Sequence, residues 1–148
     1  MSERLSCLFC RIIDGKAEAS VAYRDDLVTA FMDLHPVTPG HTLVVPNMHS
    51  TGIEGVDERT GGRIFALGKR IAMSFTDAGI RAEGANFFVA NGAVAGQTVF
   101  HCHLHVIPRF HADGFGFRHG VFGRGRPSRG ELENQAKRLA KHLEAADA

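Results

Sequence analysis

Short apolar runs separated by turn residues fill the first third of the chain. Each run has the β-branched and aromatic composition that is typical of strands, and Asp14-Gly15 and Asp25-Asp26 supply turn signals between them. Proline cannot donate a hydrogen bond to a sheet, so Pro46 closes the last run. The pattern predicts three successive strands, over Val21–Tyr23, Leu27–Met32 and Thr42–Val45.

The spacing of apolar residues changes to three or four between Asp57 and Ala78. This spacing places them on one face of a helix, for which Gly79 is the predicted C-terminal stop. The shared face consists of Ile64, Leu67, Ile71 and Phe75.

Two further strands are predicted after this helix. They cover Asn86–Asn91 and Val99–Arg109, and the glycine-containing loop Gly92–Gly96 joins them. Strands in hairpin succession with one long helix inserted predict an α+β domain with a mostly antiparallel sheet.

A loop and a terminal helix complete the predicted elements. Residues 112–129 are rich in Gly, Phe and Arg, which is the composition of a loop. A capping box from Ser128 to Glu131 begins a helix over about residues 130–145. Its apolar face consists of Leu132, Ala136, Leu139 and Leu143.

Length, charge and cysteine content limit the class of protein. The chain has 148 residues, which is one domain, and 17 Lys and Arg oppose 16 Asp and Glu. The resulting charge of +1 argues against a dedicated nucleic-acid binder. The N-terminus lacks the pattern of a secretion signal or membrane anchor, and three cysteines suit a reducing compartment. We expect a cytoplasmic protein without nucleic-acid or membrane partners.

Three histidines alternate with apolar residues in the last predicted strand. In a strand, His101, His103 and His105 share one face while the residues between them enter the core. A neutral imidazole can attack phosphorus, and a His-x-His pair with a third ligand can hold a catalytic zinc. Both chemistries stay open. The absence of Asp and Glu from residues 84–108 favours an anionic substrate.

Cys7 and Cys10 form a Cys-x-x-Cys pair near the N-terminus. A redox pair needs a preceding strand and a helix N-terminus to lower the thiol pKa, and the sequence indicates neither. The spacing therefore favours half of a zinc site that needs two more ligands. Buried inert thiols stay the alternative. Cys102 is predicted to face away from the three histidines, into the core.

Three segments of the chain together match the pattern of a known family. They are CLFCRIIDGKAEASVAYRDD, FMDLHPVTPGHTLVVPNMH and ANGAVAGQTVFHCHLHVIPR. They resemble the histidine triad superfamily, in its Hint-like nucleotide-binding branch, and the similarity covers residues 7–109. The resemblance implies an α+β half-barrel with a five-stranded sheet and a homodimer through the long helix, for which Phe65 and Ala72 are candidate contacts. It also implies hydrolysis or transfer at the α-phosphate of a nucleotide, which releases a nucleoside monophosphate.

The resemblance assigns roles to individual residues. His103 is the expected nucleophile, and His41 and His105 are expected to bind the α-phosphate. Asp33 is expected to bind the ribose hydroxyls. The base pocket falls on Phe31 and Leu34, and the phosphate and leaving-group contacts fall on Asn91, Gln97 and Thr98. The same resemblance completes a structural zinc site at Cys7 and Cys10 with His49 and His101.

Other functions stay open beside a purine nucleotide hydrolase. One is a nucleotide-binding scaffold with little turnover, and another is a zinc-dependent hydrolase that uses the triad as metal ligands. The arginines of the Gly-rich segment either form a solvated loop, close over a polyphosphate or contact a partner subunit; they are Arg118, Arg124, Arg126 and Arg129. The remaining histidines, His35, His111, His119 and His142, are expected at the surface.

Overall fold

Five antiparallel strands form one sheet in the computed structural model, which describes residues 2–116 and 127–146. The strand order is β1-β2-β3-β5-β4. The strands are β1 (Val21–Arg24), β2 (Val28–Met32), β3 (Thr42–Pro46), β4 (Gly84–Phe88) and β5 (Leu104–Arg109). The predicted α+β class with a five-stranded antiparallel sheet is confirmed.

Four α-helices accompany the sheet within the described residues. They are α1 (Ser2–Ser6), α2 (Leu8–Ile13), α3 (Glu58–Ser74) and α4 (Arg129–Ala146), and two short 3-10 turns cover Ile53–Gly55 and Ala93–Ala95. None of the helices in the described ranges is long and apolar enough to cross a membrane. The chain divides into two compact units, residues 1–115 and 116–148.

Helix α3 packs on one face of the sheet as its apolar spacing predicts. Its predicted face lies in the main core, where it meets alternate residues of the strands: Val28, Ala30, Val44, Leu104 and Val106. Gly68 allows this close approach, because a Cβ at that position would lie 2.8 Å from Cδ2 of Leu104.

The ends of α3 are set by local hydrogen bonds. The Asp57 carboxylate accepts a bond from the Thr60 N–H at 2.9 Å and so caps the first turn. The regular helix ends at Ser74, four residues before the predicted Ala78, because the chain turns over residues 75–79. Gly79 has φ +73° and, with Ile80, donates the two bonds of a Schellman motif. Gly79 is therefore the stop that the sequence predicts.

Helix α2 packs on the opposite face of the sheet. Residues of β2 and β3 alternate between the two faces, so a second core cluster forms there. The cluster consists of Phe9, Ile12, Phe31, Leu43 and Val45. Helices α1 and α2 were not predicted from the sequence. The expectation that no helix begins beside the Cys pair is wrong, because Cys7 is the N-cap of α2.

The last two strands do not cover the predicted ranges. The strand predicted over Asn86–Asn91 lies over Gly84–Phe88, and the strand predicted over Val99–Arg109 begins only at Leu104. Its neighbour β3 ends at Pro46, which has no N–H with which to continue the ladder. His101 and His103 therefore precede the strand, and the expectation that three imidazoles line one strand face is wrong.

Helix α4 begins at the predicted capping box. Ser128 N–H donates to the Glu131 carboxylate at 2.7 Å, and Glu131 N–H donates to Ser128 Oγ at 3.2 Å. The predicted apolar face exists but is exposed, with Leu139 at 65% of its full accessibility. Arg118, Arg124, Arg126 and His119 lie outside the described residues.

Candidate active site

Four sulfur and nitrogen ligands meet beside the N-terminus of α2. The ligand atoms of Cys7, Cys10, His49 and His101 all lie within 4.8 Å of one another. Nδ1 of His101 is 3.4 Å from Cys7 Sγ and 3.5 Å from Cys10 Sγ, and Nδ1 of His49 is 3.3 Å from Cys10 Sγ. A tetrahedral zinc with ordinary bond lengths separates sulfur and nitrogen ligands by about 3.5 Å. The four residues therefore fit a zinc ion.

Hydrogen bonding and burial prepare His101 as a metal ligand. Its ring is fully buried, and Nε2 donates to the carbonyl oxygen of Pro46 at 2.8 Å, which leaves Nδ1 without a proton for the metal. Burial lowers the pKa of His101 to about 4, so the ring is neutral near pH 7. Burial and the neighbouring Cys7 raise the pKa of Cys10 to about 11, a condition that a bound cation reverses.

His103 has one bound and one available ring nitrogen. Nδ1 donates to the backbone carbonyl of His101 at 2.7 Å. Nε2 makes no hydrogen bond within the described residues and is the ring's lone-pair nitrogen. Burial lowers the pKa of His103, which keeps the imidazole neutral. The geometry therefore presents a neutral, oriented imidazole with one available ring nitrogen.

A hydrogen-bond relay orients His41 and His105. The N–H of Val37 donates to His41 Nδ1 at 3.1 Å, so the proton of this neutral imidazole is on Nε2. That proton is donated to His105 Nδ1 at 2.9 Å, which leaves the His105 proton on Nε2. Burial and the imidazoles of His103 and His41 lower the pKa of His105 to about 4. His105 can therefore donate one hydrogen bond from Nε2.

Asp33 completes this group from the loop after β2. Its Oδ1 accepts from the His35 N–H at 2.8 Å, and its Oδ2 lies 3.4 Å from His41 Nε2 and 4.0 Å from His105 Nδ1. The spacing alone would admit a metal ion. A metal on His41 Nε2 would place the ring proton on Nδ1, against the N–H of Val37. The relay therefore disfavours metal binding here.

A cavity of about 320 Å³ opens beside His103 and His105. Among the predicted substrate residues, Asp33, Phe31, Leu34 and Thr98 line it. Phe31 is buried, whereas Leu34 is 82% exposed at the rim. The cavity combines an apolar body with two carboxylates, Asp33 and Glu18, and three imidazoles, His35, His103 and His105. An apolar body with polar groups at its edge suits a ligand that has a ring at one end and polar or charged groups at the other.

Asn91 and Gln97 lie outside the lining of this cavity. Asn91 Oδ1 accepts from the Ile53 N–H at 2.9 Å. The Gln97 amide is buried; it accepts from the Gly92 N–H at 2.8 Å and donates to the carbonyls of Thr51 at 2.6 Å and Val99 at 3.0 Å. Both side chains therefore bind backbone and hold the loop that carries Thr98.

One wall of the cavity was not predicted from the sequence. Leu8, Phe9 and Ile12 of α2 line it, together with Glu18 and Ala19. The apolar spacing in LFCRII was the available signal, but a six-residue helix is too short for periodicity to identify.

The outer face of α3 carries exposed apolar residues. Phe65 is 61% exposed and Met73 is 75% exposed, and the Phe65 ring contacts Phe87 with centroids 5.4 Å apart. Ala72, the other residue predicted for this outer surface, packs instead against the main core.

Comparison with known proteins gives one consistent result. The sequence model of the family described as HIT domain matches residues 14–112. An uncharacterized HIT-like protein of Borreliella burgdorferi is 46% identical, over 77% of this chain and 83% of its own. The adenylylsulfatase HINT3 of Arabidopsis thaliana is 34% identical, over 72% of this chain and 54% of its own. A zinc-bound histidine triad family protein of Mycobacterium smegmatis superposes with a TM-score of 0.73 at 36% identity, over 97% and 99% of the two chains.

Proposed function

This chain belongs to the HIT family, and from that premise we propose that it cleaves nucleotides at the α-phosphate. The substrate is a nucleoside phosphoramidate or a dinucleoside polyphosphate, and the product is a nucleoside monophosphate. The observation that carries the proposal is the neutral His103, whose Nδ1–H is held by the His101 carbonyl while Nε2 stays available beside the cavity.

The reaction has two balanced steps on His103. In the first step Nε2 attacks the α-phosphorus, an N–P bond forms, and the P–N or P–O bond to the leaving group breaks. The leaving group takes a proton from solvent. In the second step water forms the new P–O bond, the N–P bond breaks, and the water releases its proton. His103 is then restored as a neutral base.

His105 and His41 stabilise the charge on the phosphate. The Nε2–H of His105 is oriented by the relay through His41 and donates to a phosphate oxygen. Fixed donors of this kind lower the barrier because they need no reorganisation as charge develops. Asp33 accepts hydrogen bonds from the ribose hydroxyls, and Phe31 and Leu34 enclose the base, which we propose to be a purine.

The Cys-His cluster is proposed to hold a structural zinc. The ion would be bound by the two cysteine sulfurs and by nitrogens of His49 and His101. It would then connect the N-terminal helices to the sheet. A reduced Cys pair is needed for this role, which supports a reducing compartment such as the cytoplasm. The alternative of a metal-dependent hydrolase needs the three triad rings to share one metal, whereas His101 turns Nδ1 to the Cys pair and Nε2 to Pro46, and His103 binds the His101 carbonyl through Nδ1. These contacts argue against that alternative.

A homodimer through α3 is proposed on its exposed outer face. Phe65 and Met73 are large apolar side chains in contact with water in the single chain, and burying them favours association. β4 is an edge strand of the described sheet, so two copies can join their sheets there.

Turnover and covalent labelling test the proposed activity. The same preparation is assayed with an adenosine phosphoramidate and a diadenosine polyphosphate, with and without chelator. A quenched reaction should show a nucleoside monophosphate on the peptide that contains His103. His103→Ala should lose the adduct and nearly all turnover, whereas the exposed His111→Ala keeps both. Turnover without a covalent adduct on His103 contradicts the proposed mechanism. Nucleotide binding without turnover favours the scaffold alternative.

A further inference from the structure

The orientation of His103 rests on one hydrogen bond and on the rings around it. An imidazole can turn about its χ2 bond, and a half-turn would exchange its nitrogen and carbon positions. The bond to the His101 carbonyl opposes this motion. Packing opposes it as well, since the Phe9 ring lies against His103 at a centroid distance of 5.3 Å and an angle of 89°.

Phe9 lies between the two cysteines of the Cys pair and contacts both His101 and His103. It lies between Cys7 and Cys10 on α2, is 5% exposed, and also contacts His101 at 5.8 Å and Phe31 at 5.2 Å. One side chain therefore connects the helix of the Cys pair with both the buried ligand His101 and the nucleophile His103.

Helix α2 depends on its neighbours for its position. It has six residues, which is too few for stability in isolation. Its contacts with the second core cluster and the ligand atoms of its two cysteines hold it in place. Any motion of the Cys pair therefore moves Phe9 relative to His103.

We propose that Phe9 is a positioning residue for His103, and that metal binding at the Cys-His cluster influences the reaction through this ring. The proposal rests on the proposed function for its kinetic part. Phe9 touches the nucleophile and holds its Nε2 in the attacking direction, and the cluster holds Phe9.

A simple wall of the nucleotide cavity makes a different prediction. A wall contacts the ligand equally in the ground state and in the transition state, so its loss raises KM and leaves kcat unchanged. A positioning residue acts on the geometry of attack, so its loss lowers kcat. A misplacement of about 1 Å lowers the rate by up to about 100-fold.

Phe9→Leu and Ile13→Val separate the two roles. Ile13 is a matched control because it lies on the same helix and packs against the same core cluster, but it does not line the cavity. We expect Phe9→Leu to lower kcat by about tenfold or more with KM within about twofold, and Phe9→Met to lower it less. Ile13→Val should keep kcat. A Phe9→Leu enzyme with raised KM and unchanged kcat overturns the proposal.

Nuclear magnetic resonance of the zinc-loaded protein provides a readout that is independent of turnover. The Nδ1 proton of His103 should exchange slowly with solvent in the parent and in Ile13→Val, and faster in Phe9→Leu. A chelator should speed the exchange in the parent and add little to Phe9→Leu. Equal exchange in all three proteins overturns the proposal even if no nucleotide is turned over. Absence of turnover in the parent contradicts only the proposed function.

Discussion

Replacing Gln97 by leucine tests whether this side chain contacts substrate or holds the loop in front of it. Leucine keeps the approximate volume of the buried side chain and removes all three of its hydrogen bonds to backbone. Each such bond stabilises a fold by about 0.5–1.5 kcal/mol, and the Thr51 segment can regain part of its loss from water. We expect Gln97→Leu to lower the free energy of unfolding by about 2–4 kcal/mol.

Urea unfolding measures this change, and Gln135→Leu is the matched control. Gln135 lies on the exposed surface of α4, where a substitution changes stability by about 0.5 kcal/mol or less. The slope of the transition should match the parent in both variants. A Gln97→Leu protein as stable as Gln135→Leu, with a raised KM, would refute the structural role and return Gln97 to substrate binding.

Three further predictions follow from pKa, packing and metal binding. Burial lowers the pKa of His105 in the folded protein to about 4, whereas the imidazole of the unfolded chain gains a proton below about pH 6.5. The unfolded state is therefore favoured as pH falls from about 6.5 to about 4, and the free energy of unfolding decreases. Between pH 7 and pH 5 the free energy of unfolding should fall by about 2 kcal/mol less in His105→Asn than in the parent. In the exposed His111→Asn it should fall as much as in the parent. Leu67→Ala, at a site 2% exposed, should cost about 2–5 kcal/mol by urea unfolding, in contrast to the exposed Leu139→Ala. Metal analysis should find about one zinc per chain, and chelation should lower Tm; Cys10→Ser should lose the zinc, whereas Cys102→Ser keeps it.

The sequence predicted those parts of the fold whose periodicity is long or whose end signals are local. The face of α3 from Ile64 to Phe75, its stop at Gly79 and the capping box at Ser128 depend on neighbours along the chain. The start of β5 depends on Pro46, which lies more than fifty residues earlier in the chain. The residues around Leu104 therefore carry no signal for where this strand begins. Helix α2 depends on packing against the sheet and was missed for the same reason.

The candidate site was predictable as a set of residue types and not as a set of contacts. Alternating histidines indicated a site, and the resemblance assigned His101 to the Cys pair, where the structure places it. The proton positions of His41 and His105 follow from the backbone N–H of Val37, which no residue pattern records. The burial of the Gln97 amide against backbone carbonyls likewise needs the folded loop.

His101 has three partners that belong to three different parts of the molecule. Nδ1 meets the cysteines, Nε2 binds the end of β3, and the carbonyl holds His103. A substitution here breaks the contacts of both ring nitrogens at once, and no other side chain offers one donor and one acceptor at the same spacing in a ring. A replacement at this position therefore removes a ligand of the proposed zinc site and a bond to the end of β3 in one step, whereas the backbone carbonyl that holds His103 stays.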